Sequence, residues 1–252
     1  MLRYCHLYLT PSAVSVGDCA GRTAVVIDVL RATTTIIQAL AAGAESVVPC
    51  VEVDAAVETA RRLGQAAMLA GERGGVKLAG FDLGNSPAEY IPEVVGGRAI
   101  VLTTSNGTRA IAAARSSAHL LIGALVNRAS VAALAASLGR DVAIICAGSD
   151  DEIGADDELT GGAIVAELIR LAPQLQLDGV AMRAAERWRA IVGDAAGAMC
   201  PGLTEAIIAA LTDSRGGATL TSLGCHSDIA WCARLDSTSL VPRFDRATGC
   251  IR

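Results

Sequence analysis

Four stretches of this chain concentrate side chains that can do chemistry. The first is Asp28-Val29-Leu30-Arg31-Ala32-Thr33-Thr34-Thr35. It sets a carboxylate and a guanidinium three residues apart, then three hydroxyls, directly after the apolar run TAVVI. At a strand-to-helix turn the free N–H groups and positive end of the helix suit a phosphate. Arg31 can clamp an anion with its two-pronged head. Thr33 and Thr34 add donors. Asp28 suits three jobs, metal ligand, base or nucleophile, and the sequence leaves all three open. The plain alternative is a helix cap followed by a surface arginine.

The second stretch is Gly71-Glu72-Arg73-Gly74-Gly75, followed at Gly80 by GFDLGNSP. Two glycine-rich pieces with little periodicity read as one long loop, and such loops in compact proteins are usually either functional or disordered. Glu72 is a candidate metal carboxylate and Arg73 a second anion clamp. Asn85 and Ser86 are candidate substrate contacts, unless Asn85-Ser86-Pro87 only ends a solvated turn. The third stretch, Thr103-Thr104-Ser105-Asn106-Gly107-Thr108-Arg109, offers four hydroxyls and an amide around a glycine. A helix cap needs one such residue. The surplus predicts an oxyanion nest of Thr104, Asn106, Gly107 and Thr108, with Gly107 admitting a ligand close to the backbone. The fourth runs through Asp150, Asp151, Glu152, Asp156, Asp157 and Glu158 to Thr160-Gly161-Gly162. Oxygen donors suit a hard cation, although an acidic run is more often a solvated face. Asp228, in Gly224-Cys225-His226-Ser227-Asp228, is a further carboxylate.

Other chemistries lack their residues. There is no GxxxxGK[ST] phosphate loop and no GxSxG elbow. The three histidines, His6, His119 and His226, never pair at helical spacing, which disfavours a zinc hydrolase. A dehalogenase-type phosphatase with Asp28 as nucleophile needs a second aspartate two residues on, where Leu30 stands.

The elements that must position these residues alternate. Strands are expected at Thr23–Leu30, Ser46–Cys50, Ala66–Ala70, Arg98–Thr104, His119–Leu125 and Asp141–Ala147, with an edge strand at Arg3–Thr10. Helices are expected at Ala32–Ala42, Asp54–Leu63, Thr108–Arg115 and Ser130–Leu138. Short apolar runs bounded by glycine and polar residues read as strands covered on both faces. Their alternation with helices predicts an α/β fold: a three-layer α/β/α arrangement with a mainly parallel sheet, a mixed sheet being the variant. Beyond residue 150 helices dominate, over Asp157–Leu171, Asp178–Val192 and Leu203–Leu211. Ser214–Ala218 reads as a turn, and Ile229–Ala233 and Ser239–Pro242 as returning strands. The segments 27–33 and 102–108 align without a gap, which fits an internal duplication and coincidence equally. No linker divides the chain, so one domain over 1–252 is expected, or two intimately packed halves of about 1–150 and 151–252.

Composition narrows the partners. The 252 residues are 52% hydrophobic and carry a net charge of −5, which gives no global basic field for nucleic acid. Aromatics at 3% leave few stacking platforms for bases. No apolar segment is long enough to span a bilayer, and the first ten residues lack a signal-peptide core. The eight cysteines include no CxxC pair and read as buried, reduced thiols. A cytoplasmic enzyme holding a small phosphorylated anion is the expectation, with no membrane or nucleic-acid partner; a homodimer is compatible.

Taken together, VVIDVLRATTTI, GERGG with GFDLGNSP, LTTSNGTRA, the CAG at 146–148 and DELTGGAI resemble the 2-phosphosulfolactate phosphatase family, in the family's order over most of residues 24–165. The resemblance implies an α/β phosphatase unlike the common superfamilies. It also implies Mg²⁺-dependent hydrolysis of 2-phospho-3-sulfolactate to 3-sulfolactate, a step of coenzyme M biosynthesis. Asp156-Asp157 stands where the family often has Glu-Asp, and Ser149–Ile153 looks peculiar to this chain. On this reading Asp28, Arg31 and Arg73 are catalytic, and Asp28, Glu72, Asp157 and Asp228 hold Mg²⁺. The rival is a non-enzymatic anion-binding or regulatory protein on the same scaffold.

Overall fold

The structure, a computed structural model, describes residues 2–193 and 202–252. The strands are β1 (Tyr4–Tyr8), β2 (Thr23–Ile27), β3 (Ser46–Pro49), β4 (Ala67–Arg73), β5 (Val76–Lys77), β6 (Ala99–Thr103), β7 (His119–Gly123), β8 (Val142–Cys146), β9 (Gln176–Leu177), β10 (Phe244–Asp245) and β11 (Cys250–Ile251). The helices are α1 (Ala32–Ala41), α2 (Val53–Leu63), α3 (Pro92–Val95), α4 (Gly107–Ala113), α5 (Arg128–Ser137), α6 (Ala155–Leu171), α7 (Gly179–Val192), α8 (Leu203–Thr212), α9 (Arg215–Ser222) and α10 (His226–Cys232).

The strands β2, β6 and β8 bury every residue, as their unbroken aliphatic runs require of strands covered on both faces. The α/β class expected from the alternation is what forms, and its strands divide between two sheets. One sheet is wholly parallel, in the order β7-β2-β8-β1-β9. The other is mixed, in the order β10-β11-β3-β6-β4-β5, with β3, β6 and β4 parallel at its centre. The division arises because the helix after β2 leads to β3, which pairs with β6 and not with β2. α1 touches β7 of one sheet and β3 of the other, and α4 leaves β6 but packs on β2. One apolar core contains Val25 and Ile144 of the first sheet together with Val47 and Ile100 of the second.

Several local expectations change. The opening strand is not an edge: β1 lies between β8 and the two-residue β9. Ser214–Ala218 begins a helix, α9, because the Ser214 side chain caps it by accepting from Gly217 N. Ile229–Ala233 is α10 and its C-cap rather than a strand; its apolar residues Ile229 and Cys232 recur at helical spacing. Residues 239–242 are no strand, although the Pro242 carbonyl accepts from Ile122 N. The glycine-rich loop after residue 70 is in large part strand. β4 runs to Arg73 and turns into β5 through Gly74 and Gly75, whose φ angles of 59° and 83° make the two-residue hairpin that Gly-Gly favours. Cys200 lies outside the described residues; the other seven cysteines are free thiols. No helix among the described residues is long and apolar enough to cross a membrane.

Candidate active site

In parallel α/β sheets, ligands bind beyond the carboxyl ends of the strands. Here two such rims face one pocket, a cavity of about 170 Å³. Its walls come from the turn after β2 (Asp28, Leu30, Arg31), the end of β4 (Glu72, Gly74, Gly75), the turn after β6 (Ser105, Asn106), the loop after β8 (Ser149, Asp150) and the first turns of α9 (Arg215, Gly216, Thr219, Leu220), with Asn85.

The β2–α1 turn is held by its own hydroxyls. Thr33 Oγ1 donates to the Asp28 carbonyl and accepts from Asp28 N, and Thr34 Oγ1 donates to the Val29 carbonyl. Both threonines, expected at the substrate, therefore tie the turn. Asp28 Oδ1 accepts from Ala32 N at 3.2 Å, the first free donor of α1. Only 8% of Asp28 is exposed. Burial, more than any neighbour, pushes its carboxyl up to about 7; Glu72 and Asp156 add repulsion, while the Ala32 N–H and Arg31 work against it.

Arg31 is buried at 4% exposure and doubly anchored. Nη1 meets Asp228 Oδ2 at 2.6 Å and Nη2 donates to the Gly75 carbonyl at 2.8 Å. Asp228 Oδ1 accepts from Ser86 Oγ at 2.7 Å. Asp228, expected as a metal ligand, thus serves both oxygens to protein donors and aims Arg31. Ser86 acts through it. Asp157 is similarly engaged: its oxygens accept from Val29 N at 2.8 Å and Gly148 N at 3.0 Å, stitching the ends of β2 and β8 together. Burial raises its pKa well above the ordinary value, with Asp156 and Asp28 adding to the effect.

Glu72 accepts from Ser105 N and Gly75 N, at 2.8 and 2.7 Å, and so joins the carboxyl ends of β4 and β6 in the mixed sheet. Its neighbour Arg73, expected at the anion, points elsewhere because side chains alternate along a strand. Its guanidinium donates to the Glu72 and Val51 carbonyls and to Thr103 Oγ1. The Thr104–Thr108 turn also differs from the expected nest. Thr104 Oγ1 caps Thr108 N, and Thr108 Oγ1 donates back to the Thr104 carbonyl. Gly107 meets protein where a ligand was expected: a Cβ there would stand 2.6 Å from Ala32 Cβ and 2.7 Å from Asp28 Oδ2. Asn106 does line the pocket, and its Oδ1 accepts from Asp150 N. Asn85 Oδ1 is buried on the pocket wall with no partner in the protein, which suits a ligand or water contact.

Sequence reasoning passed over Ser105 and the α9 side of the pocket, since SRGGA reads as a turn, and preferred Asp157 to its neighbour Asp156. Asp156 lies behind Gly216, where a Cβ would come within 3.0 Å of its Oδ2. Burial raises its pKa too. No three His, Cys, Asp or Glu side chains among the described residues stand close enough to share one ion as placed. Carboxylate oxygens are what a hard cation such as Mg²⁺ takes. Asp28 Oδ2, on the pocket wall, accepts from no protein donor, while both Glu72 oxygens already do.

Buried carboxylates beside a fixed guanidinium, where the strand rims of an α/β fold meet one pocket, make this the candidate active site. The chain belongs to the 2-phosphosulpholactate phosphatase family, whose model matches residues 8–247. It is 41% identical over 221 residues to a protein of Deinococcus radiodurans, covering 87% of this chain and 86% of that one. It is 38% identical over 228 residues to one of Symbiobacterium thermophilum, covering 90% and 93%. It is 34% identical over 223 residues to one of Clostridium acetobutylicum, covering 88% and 89%. All three carry the name "probable 2-phosphosulfolactate phosphatase".

Proposed function

We propose that this chain is a Mg²⁺-dependent phosphatase that hydrolyses 2-phospho-3-sulfolactate to 3-sulfolactate and phosphate. The observation that carries the reading is one turn, 28–31, which brings a carboxyl with a pKa near 7 and an anchored guanidinium to the same pocket. Arg31 is held by Asp228 and the Gly75 carbonyl, so it meets charge growing on the phosphoryl oxygens without first rearranging. Asp28, on the pocket wall, can take the proton of an attacking water, attack phosphorus itself, or hold the metal. Asp28, whose Oδ2 has no protein donor, and Asp156 beside it are the carboxylates that would hold Mg²⁺, whereas Glu72 has both oxygens engaged by Ser105 N and Gly75 N. The ion would supply a Lewis acid that offsets phosphoryl charge. Asn85, Ser105 and Asn106 complete a neutral polar wall.

The relatives' names and the family support this substrate. The reaction belongs to coenzyme M biosynthesis or a related sulfonate metabolism. The seven cysteines among the described residues are free thiols, which suits a protein of the reducing cytoplasm. The test is phosphate release from a panel of phosphorylated 2-hydroxy acids, with Mg²⁺ and with a chelator. Release is expected with Mg²⁺, fastest from 2-phospho-3-sulfolactate, and abolished by chelation. Thermal stabilisation by the same compounds without turnover would make the protein an anion binder instead.

A further inference from the structure

The pocket wall contains two cations, Arg31 and Arg215. Arg31 is committed to Asp228 and the Gly75 carbonyl at the buried end. Arg215 differs in every respect. It opens α9 at the mouth of the pocket, and its side chain is 49% exposed. Its partners are Glu152, and Asp150 at 3.3 Å, both side chains 73% exposed. They come from the loop after β8, whose turn closes by mutual bonds between Ser149 and Glu152. That loop bridges the pocket. Asp150 N donates to Asn106 Oδ1, and Asp151 pairs with Arg109 of α4 at 2.9 Å.

Ion pairs this exposed contribute little, so exchanging one partner for another costs little. A polyanion entering the pocket passes Asp150, meets Asp28 and Glu72 deeper in, and finds Arg215 as the cation without a buried partner. We infer that Arg215 is a specificity-determining residue that receives the second anionic group of the substrate, a sulfonate or carboxylate remote from the phosphate, by exchanging Asp150 and Glu152 for it. The inference rests on the phosphatase reading for the identity of that substrate. Its geometric basis is independent: a half-exposed guanidinium on the pocket wall, held by carboxylates that a ligand's anion can replace. Planar guanidinium matches both carboxylate and sulfonate oxygens in a two-pronged fashion.

The test is calorimetric titration of the full chain with two probes, 3-sulfolactate and inorganic phosphate. Arg215→Ala is expected to weaken 3-sulfolactate by about tenfold or more, and phosphate by much less. Arg215→Lys is expected to recover part of the loss. Asp150→Asn combined with Glu152→Gln is expected to tighten 3-sulfolactate, because the competing carboxylates are gone. Equal losses for both probes in Arg215→Ala, or no loss for 3-sulfolactate, would overturn the assignment. Phosphate release is read separately. Binding that follows Arg215 in a protein that releases no phosphate would sink the phosphatase reading and leave Arg215 in place. Turnover with 3-sulfolactate binding indifferent to Arg215 would do the reverse.

Discussion

The turn after β2 and the turn after β6 align residue for residue, and both open a helix against the same pocket. Arg31 and Asn106 occupy the same position, the N-cap of α1 and of α4. Ala32 and Gly107, also equivalent, meet face to face. Both turns use threonines to hold their own helix starts, Thr33 and Thr34 in the first and Thr104 and Thr108 in the second. Yet the first puts a carboxylate and a guanidinium into the pocket, where the second offers only the neutral Ser105 and Asn106. The pairing teaches that one backbone geometry can present chemistry or simply support it. Which it does depends on whether side chains find partners within the turn. Thr104 and Thr108 satisfy one another. Asp28 keeps one oxygen without a protein donor, and Arg31 finds its partners on other elements.

Breaking the comparison on its active side should cost most. Arg31→Ala is expected to lower kcat/KM by about 10²-fold or more. It also strands the buried Asp228 carboxylate, so a drop of about 3–5 kcal/mol in unfolding free energy is expected alongside. Denaturant titration separates the two effects, and the double variant Arg31→Met, Asp228→Asn should recover stability without activity. Wild-type kinetics in a folded Arg31→Ala protein would remove the arginine from the mechanism.

Next in size is the contact between the turns. Gly107→Val drives a side chain into Ala32 and Asp28, and overpacking of this kind costs about 1–3 kcal/mol. Because the displaced group is Asp28, kcat is expected to fall more than stability does. A variant with unchanged kcat would mean that the two turns do not hold each other. Asn106→Ala lies at the small end. It removes one accepted bond, from Asp150 N, so a loss of about 1 kcal/mol in transition-state binding is expected. A larger loss than from Gly107→Val would return the second turn to the chemistry.

Stability against pH sharpens the same contrast. The Asp28 carboxyl is pushed up to about 7, against about 4 in an unfolded chain. Between those values the folded, metal-free protein keeps a proton the unfolded chain has lost. Its contribution to stability is therefore whole below about pH 4 and lost as pH rises through 7. Asp28→Asn should raise Tm over wild type at pH 8 in chelator and leave it nearly unchanged at pH 4. A Tm difference that is flat with pH would contradict the buried-acid assignment.

Much of this was legible in the sequence. Asp28 and Arg31 stand out as a charged pair directly after TAVVI, but the same residues read equally as a helix cap and a surface arginine. The structure does bond Asp28 to Ala32 N, and it buries Arg31 rather than exposing it. The strand runs were readable because apolar residues on both faces leave no alternative. The division into two sheets was not readable, since nothing local says that β3 will seek β6. Arg73 misled because its neighbour Glu72 faces the pocket and a strand turns alternate side chains away. Ser214-Arg215-Gly216-Gly217 reads as a turn, but the serine caps a helix that the glycines allow to pack closely. Asp156 and Asp157 could not be ranked from sequence. Only the N–H groups of Val29 and Gly148 show that Asp157 is occupied as a brace.

The central claim, that the 28–31 turn carries the reaction, is tested most directly by single-turnover phosphate release from 2-phospho-3-sulfolactate at saturating Mg²⁺, in wild type and Asp28→Asn. The account expects release by the wild type and a rate about 10²–10⁴-fold lower in the variant. Release by Asp28→Asn at the wild-type rate would contradict it.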